Sequence, residues 1–425
     1  MTYEEVAERI CGSKRFGNLA GVEISGRMLK ELGNPQDGMK LIHIAGTNGK
    51  GSVSAFLCEI LRAAGLRVGM FTSPHLIDFT ERIRVDGELI SREAAARIGE
   101  ELLGTDFGVQ PTMFDYALAM ALIYFKEQKC EAVILETGLG GRLDSTNAVG
   151  VPEVCVLTKI GYDHVAVLGT TLSEIAREKA GILKPGVSIV AESQDVEVSR
   201  VFRQAAEAVG AQRYREIRAD ELRGCRFADG VQEFSFGIYE GLRMHMLGVH
   251  QYENAAAAIL AAEEFLLRVT PERLDGSGMD ACVREGIFAA RWPGRMEILR
   301  KEPFLLVDGA HNSNGVEALV RSLMALFPGE KFHFVMGVME DKDYERMVEL
   351  LLPLALDFST VTVGDARAFD ARRLAAHIKR QGVFAGSVGS IKDHLLPERC
   401  DRAHKTVALG SLYFIGEVLS LFETL

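Results

Sequence analysis

Lys50 stands inside Gly46-Thr47-Asn48-Gly49-Lys50-Gly51-Ser52, directly after the apolar run Leu41, Ile42, Ile44. A helical pattern follows, with Val53, Phe56, Leu57, Ile60, Leu61 and Ala64 on one face. A glycine-rich turn between strand and helix lets several backbone N–H groups point at one anion, and the helix N-terminus adds partial positive charge. Lys50 supplies a mobile ammonium and the Ser52 hydroxyl can reach Mg²⁺, so the chemistry is that of nucleotide phosphates. The spacing departs from the standard Walker loop, because only Thr47 and Asn48 separate Gly46 from Gly49 and Gly51 follows the lysine. A tight turn without a ligand is the plainer reading of a glycine-rich loop. Lys and Ser between a strand and an amphipathic helix favour the nucleotide.

Three other strand ends carry residues of the same chemistry. Glu136 closes the apolar run Ala132–Leu135 and precedes Gly138, Gly140 and Gly141. Isolated burial of a carboxylate is expensive, so that position points to a metal or to a cluster of loop N–H groups, against the alternative of a partly solvated strand terminus. Ser73 follows the run Arg67–Phe71, and His164 sits beside Asp163 after Val154–Lys159. Alone, a histidine is more often structural, and an imidazole among oxygen ligands is unusual for Mg²⁺. Lys179 lies at the end of a helix stopped by Gly181. It is either a cation favoured by the helix dipole or paired with Glu178, or a buried and chemically modified lysine; spacing leaves both open.

These residues need strands to carry them to one edge. Short β-rich runs alternate with helical patterns almost throughout, including Ser188–Ala191, which predicts parallel sheets covered by helices with ligands at the carboxyl ends of strands. Residues 212–247, with turns such as Asp229-Gly230, read as a small β-rich appendage, and a helix follows at about Tyr252–Leu267. Arg291-Trp292-Pro293-Gly294-Arg295 has linker punctuation. A second α/β pattern then runs through strands Phe304–Val307, Phe332–Met336, Thr360–Val363 and Thr406–Leu409, whose ends carry Asp308, His311 and Ser411. The expectation is an α/β chain: an N-terminal P-loop-type, mainly parallel sheet domain with the appendage over 1–293, and a smaller C-terminal Rossmann-like α/β domain over 294–425.

Composition limits the rest. The 425 residues suffice for two domains with their own cores. A net charge of −11 disfavours nucleic acid as the main partner. No apolar run approaches a membrane span, and the polar start Met1-Thr2-Tyr3-Glu4-Glu5 is unlike a targeting peptide. Seven scattered cysteines, Cys400 among them and none in a CxxC pair, suit a reducing cytoplasm and argue against zinc. No segment looks like a dedicated dimer helix, so a monomer is expected.

Several separate motifs together resemble the folylpolyglutamate synthase/dihydrofolate synthase family of ATP-dependent Mur-type amide ligases. They are the Gly46–Ser52 loop, Thr72-Ser73-Pro74-His75-Leu76 with Glu81-Arg82-Ile83, and the long run from Leu135 to Asn147. Asp163-His164 with Leu168-Gly169, Glu178-Lys179-Ala180-Gly181 and His250-Gln251 with Asn254-Ala255 continue the pattern. Pro293-Gly294-Arg295, Asp308-Gly309-Ala310-His311-Asn312 and Gly410-Ser411-Leu412-Tyr413 complete it. The resemblance implies that Thr47, Asn48, Gly49, Lys50, Gly51 and Ser52, with Asn254, Arg295 and Asp308, hold ATP. It implies two Mg²⁺ ions held by Ser52, Ser73, Glu136 and His164, a carbamylated Lys179, and room for a monovalent cation. Lys50, His164 and Lys179 are its catalytic candidates. Phe114, Asp115, Leu143, Asp144 and Ser145 would meet a dihydropteroate or folate, and His311 and Ser411 the incoming L-glutamate. The chain departs from the family where Asp115 replaces the common Glu, Leu118 a frequent Thr, Val165-Ala166 a Thr-Glu pair, and Ser313 the usual Pro.

The implied reaction is attack of a pterin-linked carboxylate on the γ-phosphorus of ATP, then capture of the acyl phosphate by the glutamate amine. His75-Leu76 and Arg142-Leu143-Asp144 resemble members that use both dihydropteroate and folates; a monofunctional folylpolyglutamate synthase is the nearest variant. A cell-wall Mur ligase fits less well, since only 45 residues precede Gly46. A GTPase-like switch needs an Asp that Thr158-Lys159-Ile160-Gly161 lacks. A folate-binding protein without turnover is a third alternative, opposed by the intact Lys50, Glu136, His164 and Lys179.

Overall fold

The computed structural model describes residues 1–14, 19–228, 230–271, 276–389, 391, 395 and 404–423. The chain divides into two compact units. One comprises Met1–Arg226, Glu233–Met244 and Tyr252–Ala290, the other Phe227–Gln232, His245–Gln251 and Arg291–Leu425.

The first unit is built on an eight-stranded sheet of β1 (Leu41–Ala45), β2 (Val68–Phe71), β3 (Ile83–Val85), β4 (Glu88–Leu89), β5 (Ala132–Glu136), β6 (Val154–Leu157), β7 (Ser188–Ala191) and β8 (Arg213–Glu216). Their order is β4-β3-β2-β5-β1-β6-β7-β8. All neighbours from β2 to β8 pair in parallel, and β3 and β4 add an antiparallel edge. The central strands are buried at every position, which is why they read as continuous apolar runs rather than alternating ones. Helix Lys50–Ala63 covers β1 with Val53, Phe56, Leu57, Ile60 and Leu61 buried. Helices Tyr3–Cys11 and Gly21–Glu31, for which the sequence reading made no provision, join the core through Val6, Ile10, Ile24 and Met28.

Two strand expectations need correction. Residues 213–216 are not part of the β-rich appendage: β8 pairs with β7 as the outer strand of the main sheet. Its partly exposed sequence Arg-Tyr-Arg-Glu gives none of the apolar signal of its neighbours, because an edge strand keeps a solvated side. The separate three-stranded sheet consists of β9 (Leu222–Ala228), β10 (Val231–Phe236) and β11 (Tyr239–Met244). Of the turn expected there, Gly230 is described and Asp229 lies outside the described residues, as does Cys400.

The second unit carries a six-stranded sheet, order β12-β13-β17-β14-β15-β16, from β12 (Glu297–Arg300), β13 (Leu305–Asp308), β14 (Phe332–Met336), β15 (Ala355–Thr360), β16 (Ala385–Ser387) and β17 (Lys405–Leu409). Only β12 runs antiparallel to its neighbour. The strand expected at Thr360–Val363 lies earlier, with only Thr360 in common. Val361 and Val363 are buried beyond the sheet's end, so their apolar character marks a packed loop instead. Ser313 is the first residue of helix Ser313–Leu326, capped by the Asn312 side chain on Gly315 N. That first position makes no intrahelical N–H bond, so Ser serves where Pro is usual.

Candidate active site

The phosphate loop leaves β1 and is tied to the turn after β6. The amides of Thr47 and Asn48 both donate to Lys159 O, at 2.9 and 3.2 Å. Thr158 Oγ1 donates to Asn48 O at 2.7 Å, and Thr47 Oγ1 bonds the Gly161 backbone on both sides. This closeness needs a glycine at 46, where a Cβ would lie 1.8 Å from Thr158 Oγ1. The several amides expected to face one anion are therefore not those of Thr47 and Asn48, which spend theirs on Lys159. The amides that lead the helix are those from Gly49, its N-cap at φ 90°, to Ser52. A helix cannot satisfy these first donors internally, so they face outward along its axis.

Two lysines meet this loop. Lys50 Nζ lies 3.4 Å from Thr47 O and 3.7 Å from Glu136 Oε1. Glu136 is 4 % exposed and accepts the Ser73 amide through Oε2 at 3.3 Å. Lys179, the penultimate residue of helix Leu172–Ala180, is 5 % exposed and donates to Gly46 O at 2.8 Å. Burial, helped by the charge of Lys50, pushes its ammonium down to about 7, against the opposing pull of Asp163 and Asp144. This downward shift favours the uncharged, nucleophilic amine relative to an exposed lysine. The influence of Asp163 ties the His164 turn to the same end of the sheet. His164 adopts φ 50°, with its ring Nε2 3.9 Å from Asp163.

Among the described residues no three His, Cys, Asp or Glu side chains converge to hold a metal. Mg²⁺ seldom asks for such a cage, being held by one or two carboxylates with water and substrate phosphates. A single buried carboxylate, Glu136, bonded to the Ser73 amide and facing the lysine of a phosphate loop, fits that mode.

The expected acyl-substrate residues separate into two kinds. Leu143 is exposed, and the half-buried Phe114 ring packs on Phe71 at 5.4 Å. Asp115, Asp144 and Ser145 instead turn into the protein. Asp115 accepts from Ser25, Ser145, and the amide and hydroxyl of Thr112. Asp144 accepts from the Gly138 and Leu139 amides and from Thr146, and burial still pushes its carboxyl up. Thr146 gives its proton to Asp144, so His43 Nε2, 2.8 Å away, must donate to it. Burial holds His43 neutral, with its pKa near 3. These buried groups brace the loop that carries Leu143.

In the second unit Asp308 closes β13 and accepts the Met296 and Ala310 amides, each at 2.8 Å, while burial pushes its carboxyl up against the pull of Arg295. Ala310 O accepts the Gly410 amide from the end of β17, which brings the His311 and Ser411 turns side by side. His311 Nδ1 bonds Gly309 O at 2.8 Å, and Ser411 is buried with its hydroxyl on the Tyr413 amide.

The sequence reading passed over Glu192. It directly follows β7, much as Glu136 ends β5, is 2 % exposed, and accepts the Lys159 amide at 2.8 Å. An acid directly after the apolar run Ser188–Ala191 is the signal that could have found it. Asn254, on helix Gln251–Val269, reaches the same place: a Cβ at Gly49 would meet Asn254 Oδ1 at 2.4 Å and Glu192 Oε1 at 3.5 Å.

Comparison with known proteins gives a consistent picture. Residues 44–262 match the Mur ligase middle domain and residues 294–403 the Mur ligase glutamate ligase domain. The chain is 36% identical to dihydrofolate synthase/folylpolyglutamate synthase of Bacillus subtilis, over 98% of each protein. Folylpolyglutamate synthase from Thermotoga maritima superposes with a TM-score of 0.83 at 31% identity, covering 99% of this chain and 97% of that one. The Mycobacterium tuberculosis folylpolyglutamate synthase complexed with ADP gives 0.87 at 28% identity, over 99% and 98%.

Proposed function

Since the chain belongs to the folylpolyglutamate synthase/dihydrofolate synthase family of Mur ligases, we propose that it uses ATP to join L-glutamate to dihydropteroate, to folyl-glutamates, or to both. The observation that carries this reading is the buried Lys179 amine held on the carbonyl of Gly46, with Lys50 and Glu136 at the same loop. A phosphate loop alone binds nucleotides for many purposes. A second, buried lysine beneath it, its ammonium destabilised by burial, suits a site built to be completed by an added carboxylate.

A carboxylate is a poor acyl donor because its leaving oxygen is strongly basic. Attack of the substrate carboxylate on the γ-phosphorus forms an acyl phosphate and ADP. The glutamate amine then adds to the acyl carbon, and the tetrahedral intermediate expels phosphate. The amides of Gly49 to Ser52 and the ammonium of Lys50 offset the charge on the phosphates and hold them in line with the acyl carboxylate. Ser52, Ser73, Glu136 and His164 would hold Mg²⁺, which supplies charge neutralisation at the transferring phosphoryl group. Lys179 in its neutral form would take up CO₂ as a carbamate, replacing a cation with a carboxylate-like group. Phe114 and Leu143 offer apolar surface to a pterin, and the Asp115, Asp144, Ser145 network fixes the wall behind it. Arg295 and Asp308 would contact the nucleotide, and His311 and Ser411 the incoming glutamate; the chain is expected to work as a monomer in the cytoplasm.

The test is phosphate release from ATP by the purified chain, with dihydropteroate plus glutamate and tetrahydrofolate plus glutamate offered separately. Amide product with at least one pair is expected. Product with both establishes the two-substrate form. No phosphate and no amide with either pair would sink the reading.

A further inference from the structure

Glu192 has a feature that Glu136 lacks. Its Oε2 accepts the Lys159 amide, but its Oε1 is buried and has no hydrogen-bond partner among the described residues. Leaving such an atom unmade costs the folded protein, so it calls for an explanation. Oε1 ends over Gly49, the N-cap of the phosphate helix, beside the side-chain oxygen of Asn254. The residue also reaches the loop by a second route, because Lys159, whose amide it holds, is the residue whose carbonyl receives the Thr47 and Asn48 amides.

We propose that Glu192 is a further nucleotide-binding residue: its free oxygen Oε1 gives the bound nucleoside triphosphate a hydrogen bond, while Oε2 steadies the strand-end turn that clamps the phosphate loop. This inference rests on the nucleotide half of the reading above and not on the identity of the acyl substrate. The group must bind as the neutral acid. Burial and the neighbouring Glu253 carboxylate push it up to about 8, opposed by the Lys159 amide and ammonium. Glu253 from helix Gln251–Val269 and Lys159 from the turn after β6 are the charged groups that act on it, and they pair with each other at 3.8 Å. Because Oε2 is occupied as an acceptor, the proton sits on Oε1 and makes it a donor. Nucleotides are rich in acceptors at phosphate, ribose and base. An ionised Glu192 would instead set a negative charge beside the triphosphate.

A glutamine at 192 mimics this arrangement. Its amide oxygen must take the Lys159 N–H, which leaves the NH₂ as a donor where Oε1–H stood. The experiment is titration of the full chain with ATP and Mg²⁺ alone, from pH 6.5 to 9.5, read by calorimetry, with thermal melts to verify folding. Glu192→Ala should weaken binding about tenfold at pH 7, the worth of one hydrogen bond, and Glu192→Gln should stay within about twofold. Above pH ~8 the wild-type affinity should fall with rising pH, and Glu192→Gln should lose that part of the decline. Wild-type affinity in Glu192→Ala, equal weakening in both variants, or an unchanged alkaline decline in Glu192→Gln would each overturn the proposal. Binding is read without acyl substrate or glutamate, so failure of the ligase reading appears in a different measurement.

Discussion

Glu136 and Glu192 close strands of the same parallel sheet, on opposite sides of β1, and both are almost completely buried. One faces the ammonium of Lys50 at 3.7 Å and takes a backbone amide on its second oxygen. The other takes a backbone amide too, but its remaining oxygen has no partner among the described residues, and the side chain that acts on it most strongly is another carboxylate, Glu253. The contrast lies in what faces each acid, since both follow a buried four-residue run at a strand end. A charge-compensated acid is equipped to remain an anion and hold a cation; an uncompensated one is equipped to remain neutral and donate a proton in a hydrogen bond.

The sharpest way to break the contrast is to take away the cation. Lys50→Ala makes the first acid resemble the second, removing both the charge that compensates Glu136 and a ligand for phosphate. Activity should fall by roughly 10³-fold, measured as kcat for phosphate release. Retention of more than a tenth of the activity would remove Lys50 from the transition state. Lys179→Ala comes next, with a loss of roughly 10²-fold. Short carboxylates such as formate or acetate should restore part of it if a carbamate is the working form, and an active, unrescued variant would show a structural lysine. The smallest effect is on stability. Glu192 has its acid raised above its unfolded value of 4.5, so its contribution is fully present below pH ~4.5 and is lost as pH rises towards about 8. Glu192→Gln has no such loss, and its melting temperature relative to wild type should climb between pH 5 and pH 8. A constant difference over that range would show that Glu192 is already ionised in the fold.

The same pair shows how far the sequence could be read. The runs Ala132–Leu135 and Ser188–Ala191, apolar at every position but Ser188, announce two buried strands, and both form. Glu136 was singled out because glycines follow it, and Glu192 was passed over because Ser193-Gln194-Asp195 look like any polar turn. Nothing local to 192 tells that Gly49 and Asn254, distant in the chain, will enclose it. The bracing role of Asp115 is hidden for the same reason, since its partners Ser25 and Ser145 become neighbours only through packing, whereas Asp144 is held within its own loop by Gly138, Leu139 and Thr146. The edge strand β8 escaped because half its residues face solvent, and a periodicity argument has no purchase on four mostly charged residues.

The Lys159 carbonyl, receiving two amides from the phosphate loop, has a mechanical consequence. With the Thr158 and Thr47 hydroxyl bonds it joins the loop and the β6 turn into one stiff piece before any ligand arrives. The entropy of shaping the cradle is then lost during folding and not again at each encounter. Nucleotide capture should be quick and insensitive to loop motion, leaving slower rearrangements to the steps that follow it.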